Sequence, residues 1–199
     1  MKKTRILLAT IASLALLGTG CSKTTTNTTP TANTNIIPSL PATAEPMKYK
    51  DFKIGITLYY PSNWKSQRQD NNMIFYPQNQ DLSQKTSTNL ALSTQDLSSL
   101  PAMTLDEYTE IIKADTLKRM TNANIISTEK TTVGGLEAGV MTYTANYPDI
   151  TDKTMEVRHV YVLKDSTTAY LLTYTATSDN FDSFLPQAKQ IANSFKFDN

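Results

Sequence analysis

LEAGVMTYTANYPDITDKTMEVRHVYVLKDSTTAYLLTYTAT, residues 136–177, is the stretch of sequence that decides the fold of this chain. It contains three segments rich in valine, tyrosine, threonine and leucine, the residue types that favour β-strands: residues 136–147, 154–164 and 167–177. A loop at residues 148–153 and a tight turn at Asp165 and Ser166 join them. Because links this short join neighbouring strands, the three strands are predicted to pair antiparallel.

The third of these segments shows which faces of the predicted sheet are covered. Tyr170, Leu172 and Tyr174 point to one face, while Ala169 and Leu171 point to the other. Since neither alternating set is polar, both faces need a cover. We therefore predict an α+β fold in which one central antiparallel sheet has helices packed on its faces.

The rest of the sheet is predicted from weaker signals upstream. Residues 124–133 form a further strand, which enters a hairpin through Gly134 and Gly135, because glycine tolerates the positive φ of a two-residue turn. Shorter candidate strands lie at residues 56–60, 64–69, 73–76 and 89–95.

Two helices are predicted from their periodicity and their start signals. Thr104 and Glu107 form a capping box ahead of an apolar stripe at Leu105, Tyr108, Ile111, Ile112 and Met120. Near the C-terminus, Ser178 or Asp179 is the predicted cap of a second helix. Its apolar residues recur every three or four positions: Phe181, Phe184, Leu185, Ala188, Ile191, Ala192 and Phe195.

The first 20 residues have the pattern of a bacterial lipoprotein signal peptide. Three basic residues precede an apolar run over residues 6–17, which is too short to span a bilayer. Residues 18–20 are small, and Cys21 follows them as the predicted site of lipidation. The pattern departs from the usual one at Gly18, where such signals carry a branched aliphatic residue, and Leu17 lies one step further back.

Two alternatives for this segment are an uncleaved membrane anchor and a secretory signal cut elsewhere. Both place the chain outside the cytoplasm, on the extracytoplasmic face of a cell-envelope or thylakoid membrane. Cys21 favours lipidation, because it is the only cysteine in 199 residues and an exported protein has little other use for an unpaired thiol. Removal of the three basic residues lowers the formal net charge from +1 to −2. With no basic patch visible, nucleic acid is excluded as a partner.

A tether follows the lipidated cysteine. Residues 21–46 are rich in threonine, asparagine, proline and alanine and carry almost no charge, so they cannot bury enough surface to order. The predicted folded domain spans residues 47–199.

Six short motifs of this domain resemble the PsbP family, the extrinsic photosystem II proteins and their bacterial relatives. They are GITLYYPSNW (55–64), FYP (75–77), TLDEY (104–108), VGGLEAGVMTY (133–143), YLLTYTAT (170–177) and ANSFKF (192–197). The resemblance implies an α-β-α sandwich, which that family shares with Ran-binding proteins of the Mog1 type. It also implies a link to calcium, but the tether here lacks the N-terminal segment that supports ion retention in the family.

Few residues offer catalytic or metal-binding chemistry. His159 is the only histidine, it lies within a predicted strand, and no nucleophile elbow or phosphate loop is present, so no enzyme activity and no catalytic residue is predicted. Asp149 and Asp152 share a loop, but two carboxylates are too few for calcium. Zinc would require His159 with distant acids. No cofactor or metal site is predicted. Trp64 is predicted to be an anchor in the core or at its rim, with a ligand platform as the alternative.

The predicted function is docking at a membrane surface. The resemblance implies an extrinsic subunit or assembly factor of photosystem II if the host is photosynthetic; the alternative is a general envelope lipoprotein that binds another protein or a small ligand. The predicted contacts lie in the loop that carries Tyr147, Asp149 and Asp152, and in residues 77–87.

Overall fold

The computed structural model describes residues 45–80 and 86–198. The predicted signal peptide, the lipidation site Cys21 and nearly all of the tether lie outside the described residues. In chain order the elements are β1 (Met47–Asp51), β2 (Ile56–Tyr60), β3 (Trp64–Gln69), β4 (Asn72–Pro77), β5 (Asn89–Asp96), α1 (Leu105–Arg119), β6 (Thr121–Val133), β7 (Leu136–Asn146), β8 (Thr154–Leu163), β9 (Thr168–Thr177), α2 (Phe181–Asn193) and β10 (Lys196–Phe197).

A seven-stranded antiparallel sheet forms the centre of the molecule, in the order β3-β4-β5-β9-β8-β7-β6. The three strands predicted from residues 136–177 are confirmed as β7, β8 and β9, and they pair in the predicted antiparallel manner. The predicted hairpin is also confirmed, since Gly134 and Gly135 have φ angles of 59° and 82°. Positive φ at both positions is the conformation that a two-residue hairpin turn requires.

Each face of the sheet has its own apolar core and its own helix. On one face, Tyr108 and Ile112 of α1 pack with Met141 and Tyr161. On the opposite face, residues of α2 such as Ile191 pack on the other alternating set of strand residues. The predicted arrangement, with helices on both faces of one central sheet, is therefore confirmed.

A second, three-stranded sheet of order β1-β2-β10 lies beside α2, so the prediction of a single sheet is wrong. β2 pairs antiparallel with both neighbours, and Phe197 of the C-terminal strand lies opposite Ile56. Phe195 is buried, and the Phe197 ring lies edge-on to Tyr170 of the large sheet at 5.0 Å. The C-terminal segment thus joins α2 to both sheets.

The two helices begin differently. The predicted capping box of α1 is confirmed, because the Glu107 amide donates to Thr104 Oγ1 at 3.2 Å and the Thr104 amide donates to Glu107 Oε2 at 2.8 Å. The cap predicted for α2 is wrong, since that helix begins after Asn180, whose side chain makes no capping bond. Backbone hydrogen bonds of the turn after β9 close this end instead.

β6 is one of the two edge strands of the large sheet, and its pairing with β7 is irregular. The register shifts twice, between Thr121 and Asn124 and between Ile125 and Ser127. Asn122, within the first shift, has a φ of 52°, a left-handed conformation that asparagine tolerates better than most residues. The open edge of the sheet is therefore bent near its start.

Candidate functional site

His159, the only histidine, lies inside the sheet and is 3% exposed. Its Nε2 lies 3.3 Å from the Tyr143 hydroxyl and its Nδ1 lies 2.9 Å from Thr173 Oγ1. Burial lowers the pKa of His159 to about 4, so the ring is neutral at pH 7. The prediction that His159 lies within a strand is confirmed, since it belongs to β8.

Trp64 is a core anchor, as predicted. Its side chain is 3% exposed, and its ring lies edge-on to Phe184 of α2 with the ring centres 6.4 Å apart. The indole therefore fixes the start of β3 against α2, and it offers no open face to a ligand.

The predicted partner loop divides into a buried anchor and an exposed tip. Tyr147 packs in the core on the α1 side, and its carbonyl accepts hydrogen bonds from the amides of Ile150 and Thr151. Asp149 and Asp152 lie exposed on the tip. Within residues 45–80 and 86–198, no group of three or more histidine, cysteine or acidic side chains is placed to hold a metal ion. The other predicted contact segment is residues 77–87, of which residues 81–85 lie outside the described residues.

An open apolar hollow of about 600 Å³ lies where the connection from β5 enters α1. We call it the α1 hollow; its lining residues are Leu100, Pro101, Ala102, Met103, Asp106, Glu107, Glu110 and Ile111. The first four come from the connection and the others from one face of the helix. The hollow is thus apolar in its centre and acidic along one side.

The α1 hollow is held by local hydrogen bonds and has its own charge pairs. The Leu100 amide donates to the Leu97 carbonyl at 2.9 Å, which turns the connection back toward the helix. Hydrogen bonds from Thr104 lower the pKa of Glu107, so this carboxylate is ionised at pH 7. Asp106 Oδ1 lies 2.7 Å from Lys130 Nζ, and Glu110 Oε1 lies 3.5 Å from Lys113 Nζ.

A second cavity, of about 220 Å³, lies between α2 and the large sheet. We call it the α2 groove; its lining residues are Leu90, Thr131, Val133, Val140, Arg158, Val160, Leu172, Tyr174, Ala188, Lys189, Ala192 and Asn193. The apolar side chains come from five strands and one helix. The charged side chains of the lining, Arg158 and Lys189, are both basic.

Arg158 is the partly buried charge of the α2 groove, with 17% of its side chain exposed. Its Nη1 donates to Thr142 Oγ1 at 3.3 Å, and its Nη2 lies 4.0 Å from Glu129 Oε2. Both contacts are at the long end for a guanidinium. Lys189 is exposed at the rim on α2.

Neither cavity was predicted from the sequence. The signal for the α1 hollow was present in LPAM (100–103), a short apolar run directly before a helix whose first turns carry acids at positions 106, 107 and 110. The α2 groove left no such local signal, because its residues are far apart in the chain. In the part of the chain that the structure describes, no helix is long and apolar enough to cross a membrane.

A family model described as PsbP-like protein matches residues 7–197 of the chain. No curated protein is significantly similar to this chain in sequence. The match confirms the resemblance that the six motifs predicted.

Solved structures share the fold. The solution structure of cyanobacterial PsbP (CyanoP) from Synechocystis has a TM-score of 0.52 at 16% identity, covering 79% of this chain and 95% of that one. LpqN, involved in cell envelope biogenesis of Mycobacterium tuberculosis, has a TM-score of 0.55 at 13% identity, covering 78% and 91%. The Ran-binding protein Mog1p from Saccharomyces cerevisiae has a TM-score of 0.50 at 10% identity, covering 78% and 96%. Identities this low show the fold alone, and the predicted PsbP and Mog1 type of fold is confirmed.

Proposed function

Because the chain belongs to the PsbP-like protein family, we propose that it is a non-catalytic docking protein, anchored through a lipid on Cys21 to the extracytoplasmic face of a membrane. The signal pattern and the charge-poor tether support the anchor. The involvement of LpqN, which shares the fold, in cell envelope biogenesis supports the same location.

The α1 hollow carries this proposal. It is an open apolar hollow of about 600 Å³ in which Leu100, Met103 and Ile111 pack against the α1-side core, while Pro101 and Ala102 are exposed. Exposed apolar surface bordered by charged side chains is typical of protein-binding sites. Its acidic side favours a partner segment in which a bulky apolar side chain is flanked by lysine or arginine. The partner is therefore a protein with a basic, partly apolar surface segment.

The buried state of His159 supports the non-catalytic part of the proposal. A general base needs a ring nitrogen within reach of a substrate. Both nitrogens of His159 instead face hydroxyl groups inside the sheet.

We propose two kinds of partner for the α1 hollow, depending on the host. In a photosynthetic host, the partner is a lumenal segment of photosystem II, and the cyanobacterial PsbP structure supports this reading. In another host, the same domain is a general envelope module that binds a different protein or a small ligand, and the LpqN structure supports that reading. Asp149 and Asp152 form a second exposed acidic surface on which the same partner could rest.

Capture of the partner by the full-length lipoprotein tests the proposal. The protein carries a photo-crosslinking residue at Met103 and is isolated from its native membranes in mild detergent, and the crosslinked peptide is then identified. We expect a peptide that contains lysine or arginine beside a bulky apolar residue. Its source, photosystem II or another envelope protein, decides between the two kinds of partner.

Ala102→Arg is the informative variant, because it places a positive charge in the exposed floor of the α1 hollow. Ala114→Arg adds the same charge at another exposed position of α1. We expect Ala102→Arg to abolish the crosslink and Ala114→Arg to retain it. Equal crosslinking in both variants would refute docking at the hollow, and the Cys21→Ala variant shows whether the anchor is needed.

A further inference from the structure

We propose that the α2 groove binds a single-chain aliphatic carboxylate, with the chain on the valine-rich floor and the carboxylate at Arg158. This site lies on the face of the large sheet opposite to α1, and its inference is independent of docking at the α1 hollow. The ligand class follows from three properties of the groove: its apolar floor, its limited volume and the sign of its charges.

The floor of the α2 groove is a continuous apolar surface. Val140, Val160 and Leu172 are register neighbours on three adjacent strands, and each is at least 92% buried. Tyr174 adds its ring, and its hydroxyl already donates to the Phe181 carbonyl at 2.7 Å. The floor therefore consists of aliphatic and aromatic carbon, and an aliphatic chain is the matching chemistry.

The cavity exists because the wall of α2 is made of small residues at this point. Ala188 and Ala192, one helical turn apart, face the floor. Larger side chains there would fill the space, as Ile191 does elsewhere in the same core. Apolar side chains along a groove lack contact partners on its open side, so a chain that lies in the groove gains those contacts.

The volume of the groove limits the length of the chain. At about 30 Å³ for each water-sized group, 220 Å³ holds roughly seven such groups. A chain of about eight carbon atoms fills this space. A second acyl chain does not fit, which favours a single-chain acid over a two-chain phospholipid.

The charges of the groove select an anion. Arg158 and Lys189 are the charged members of the lining, and neither aspartate nor glutamate belongs to it. Arg158 holds its neighbours Thr142 and Glu129 only at long distances, and a guanidinium has five N–H donors. It can therefore donate two parallel hydrogen bonds to a ligand carboxylate while its present contacts remain. Lys189 at the rim adds a second, solvated positive charge.

The test titrates octanoate into the mature lipoprotein, reconstituted in nanodiscs of zwitterionic lipid, and follows the methyl resonances of Val140, Val160, Ala188 and Ala192 by NMR. We expect these four to shift together and saturably. Affinity should rise roughly threefold to fourfold for each added methylene between butanoate and octanoate, and level off beyond it. 1-Octanol, which lacks the charge, should bind at least several-fold more weakly.

Two pairs of variants separate binding from folding. Arg158→Gln should weaken octanoate binding about tenfold and leave 1-octanol unaffected, while Arg119→Gln on α1 removes the same charge without effect. Ala188→Leu should fill the groove and abolish binding of both octanoate and 1-octanol. Ala114→Leu, at an exposed position of α1, should leave binding of both intact. Circular dichroism melting of each variant shows that it is folded.

Several outcomes would overturn the inference. They are unshifted groove methyls at saturating octanoate, equal binding of octanoate and 1-octanol, and unchanged binding in Ala188→Leu. If nanodiscs of anionic lipid shift the same methyls without octanoate, the occupant is a membrane lipid and the single-chain acid is refuted.

Discussion

The Tyr161 ring lies directly against Gly139, its register partner on the neighbouring strand. A Cβ atom at Gly139 would lie 2.5 Å from Tyr161 Cζ and 2.7 Å from its hydroxyl oxygen, closer than real contacts allow. The same ring is fully buried, lies edge-on to Tyr108 at 5.6 Å and donates from its hydroxyl to Thr109 at 2.8 Å. The missing side chain of Gly139 therefore lets Tyr161 join the sheet to α1.

Gly139→Ala should lower the free energy of unfolding by about 1–3 kcal/mol, because the added methyl group forces the buried ring out of its place. Urea denaturation measures the loss. In a Tyr161→Leu background the same change should cost much less, since no ring occupies the site, and the double-mutant cycle gives the coupling. Additive effects of the two changes would contradict the contact.

His159 should make the fold sensitive to mild acid. Its pKa is about 4 in the folded chain and near 6.5 in the unfolded one, so its contribution to stability is full above pH 6.5 and is lost as the pH falls toward 4. The difference between these two pKa values corresponds to about 3 kcal/mol in the free energy of unfolding. His159→Gln should be less stable at pH 7, yet its stability should fall less between pH 6.5 and 4. Parallel pH profiles of the two proteins, from urea midpoints, would refute this role.

Asp51→Asn should loosen the small sheet from the edge of the large one. Burial raises the pKa of the Asp51 carboxyl, but hydrogen bonds from Arg68, Tyr49 and the Lys53 amide together bring it below its usual value. Arg68 is half exposed, which screens the pair, so we expect a loss of about 1 kcal/mol at pH 7.

The pH dependence checks the cause of this loss. A lowered carboxyl pKa gives stability that is present above about pH 4 and lost below it, so wild type and Asp51→Asn should converge in acid. Asp152→Asn, at an exposed position, is the matched control. A constant difference down to pH 3 would show that the charge is not the cause.

Thr104→Ala should destabilise α1 by about 1 kcal/mol, because it removes the cap of the helix that carries the α1 hollow. Hydrogen exchange of the first amides of α1 should accelerate, and crosslinking from Met103 should fall with it. Thr104→Ser keeps the capping oxygen and should restore both measurements. Unchanged exchange in Thr104→Ala would show that the cap is dispensable.

The sequence predicted the elements whose signals are local. β7 to β9 carry dense strand formers with clear alternation, and the capping box of α1 lies within four residues. β1 and β10 were missed because MKYKD (47–51) is short and has only two apolar residues, and Lys196–Phe197 is only two residues long. Both strands exist through pairing with β2: β1 pairs across the short loop at residues 52–55, whereas β10 pairs from the opposite end of the chain.

The candidate sites were less predictable than the fold. The tip of the predicted loop lies at the surface, but the Tyr147 side chain belongs to the α1-side core. The reason is that Tyr147 continues the alternation of β7, in which every second side chain faces that core. The α2 groove depends on which side chains of α2 face Val140 and Val160. The packing of the helix determines which of its side chains face the sheet. Only this packing places Arg158 beside an apolar groove.

The irregular edge formed by β6 bears on how copies of this protein behave when crowded. A straight, exposed strand is a template on which a second copy can add its own strand, the first step of aggregation. Here the two register shifts, the left-handed Asn122 and the charges of Glu129 and Lys130 interrupt that template along its length. The lipid anchor proposed above would hold copies at high local concentration on one membrane, and an edge that resists self-pairing would keep each copy free to meet its proposed partner.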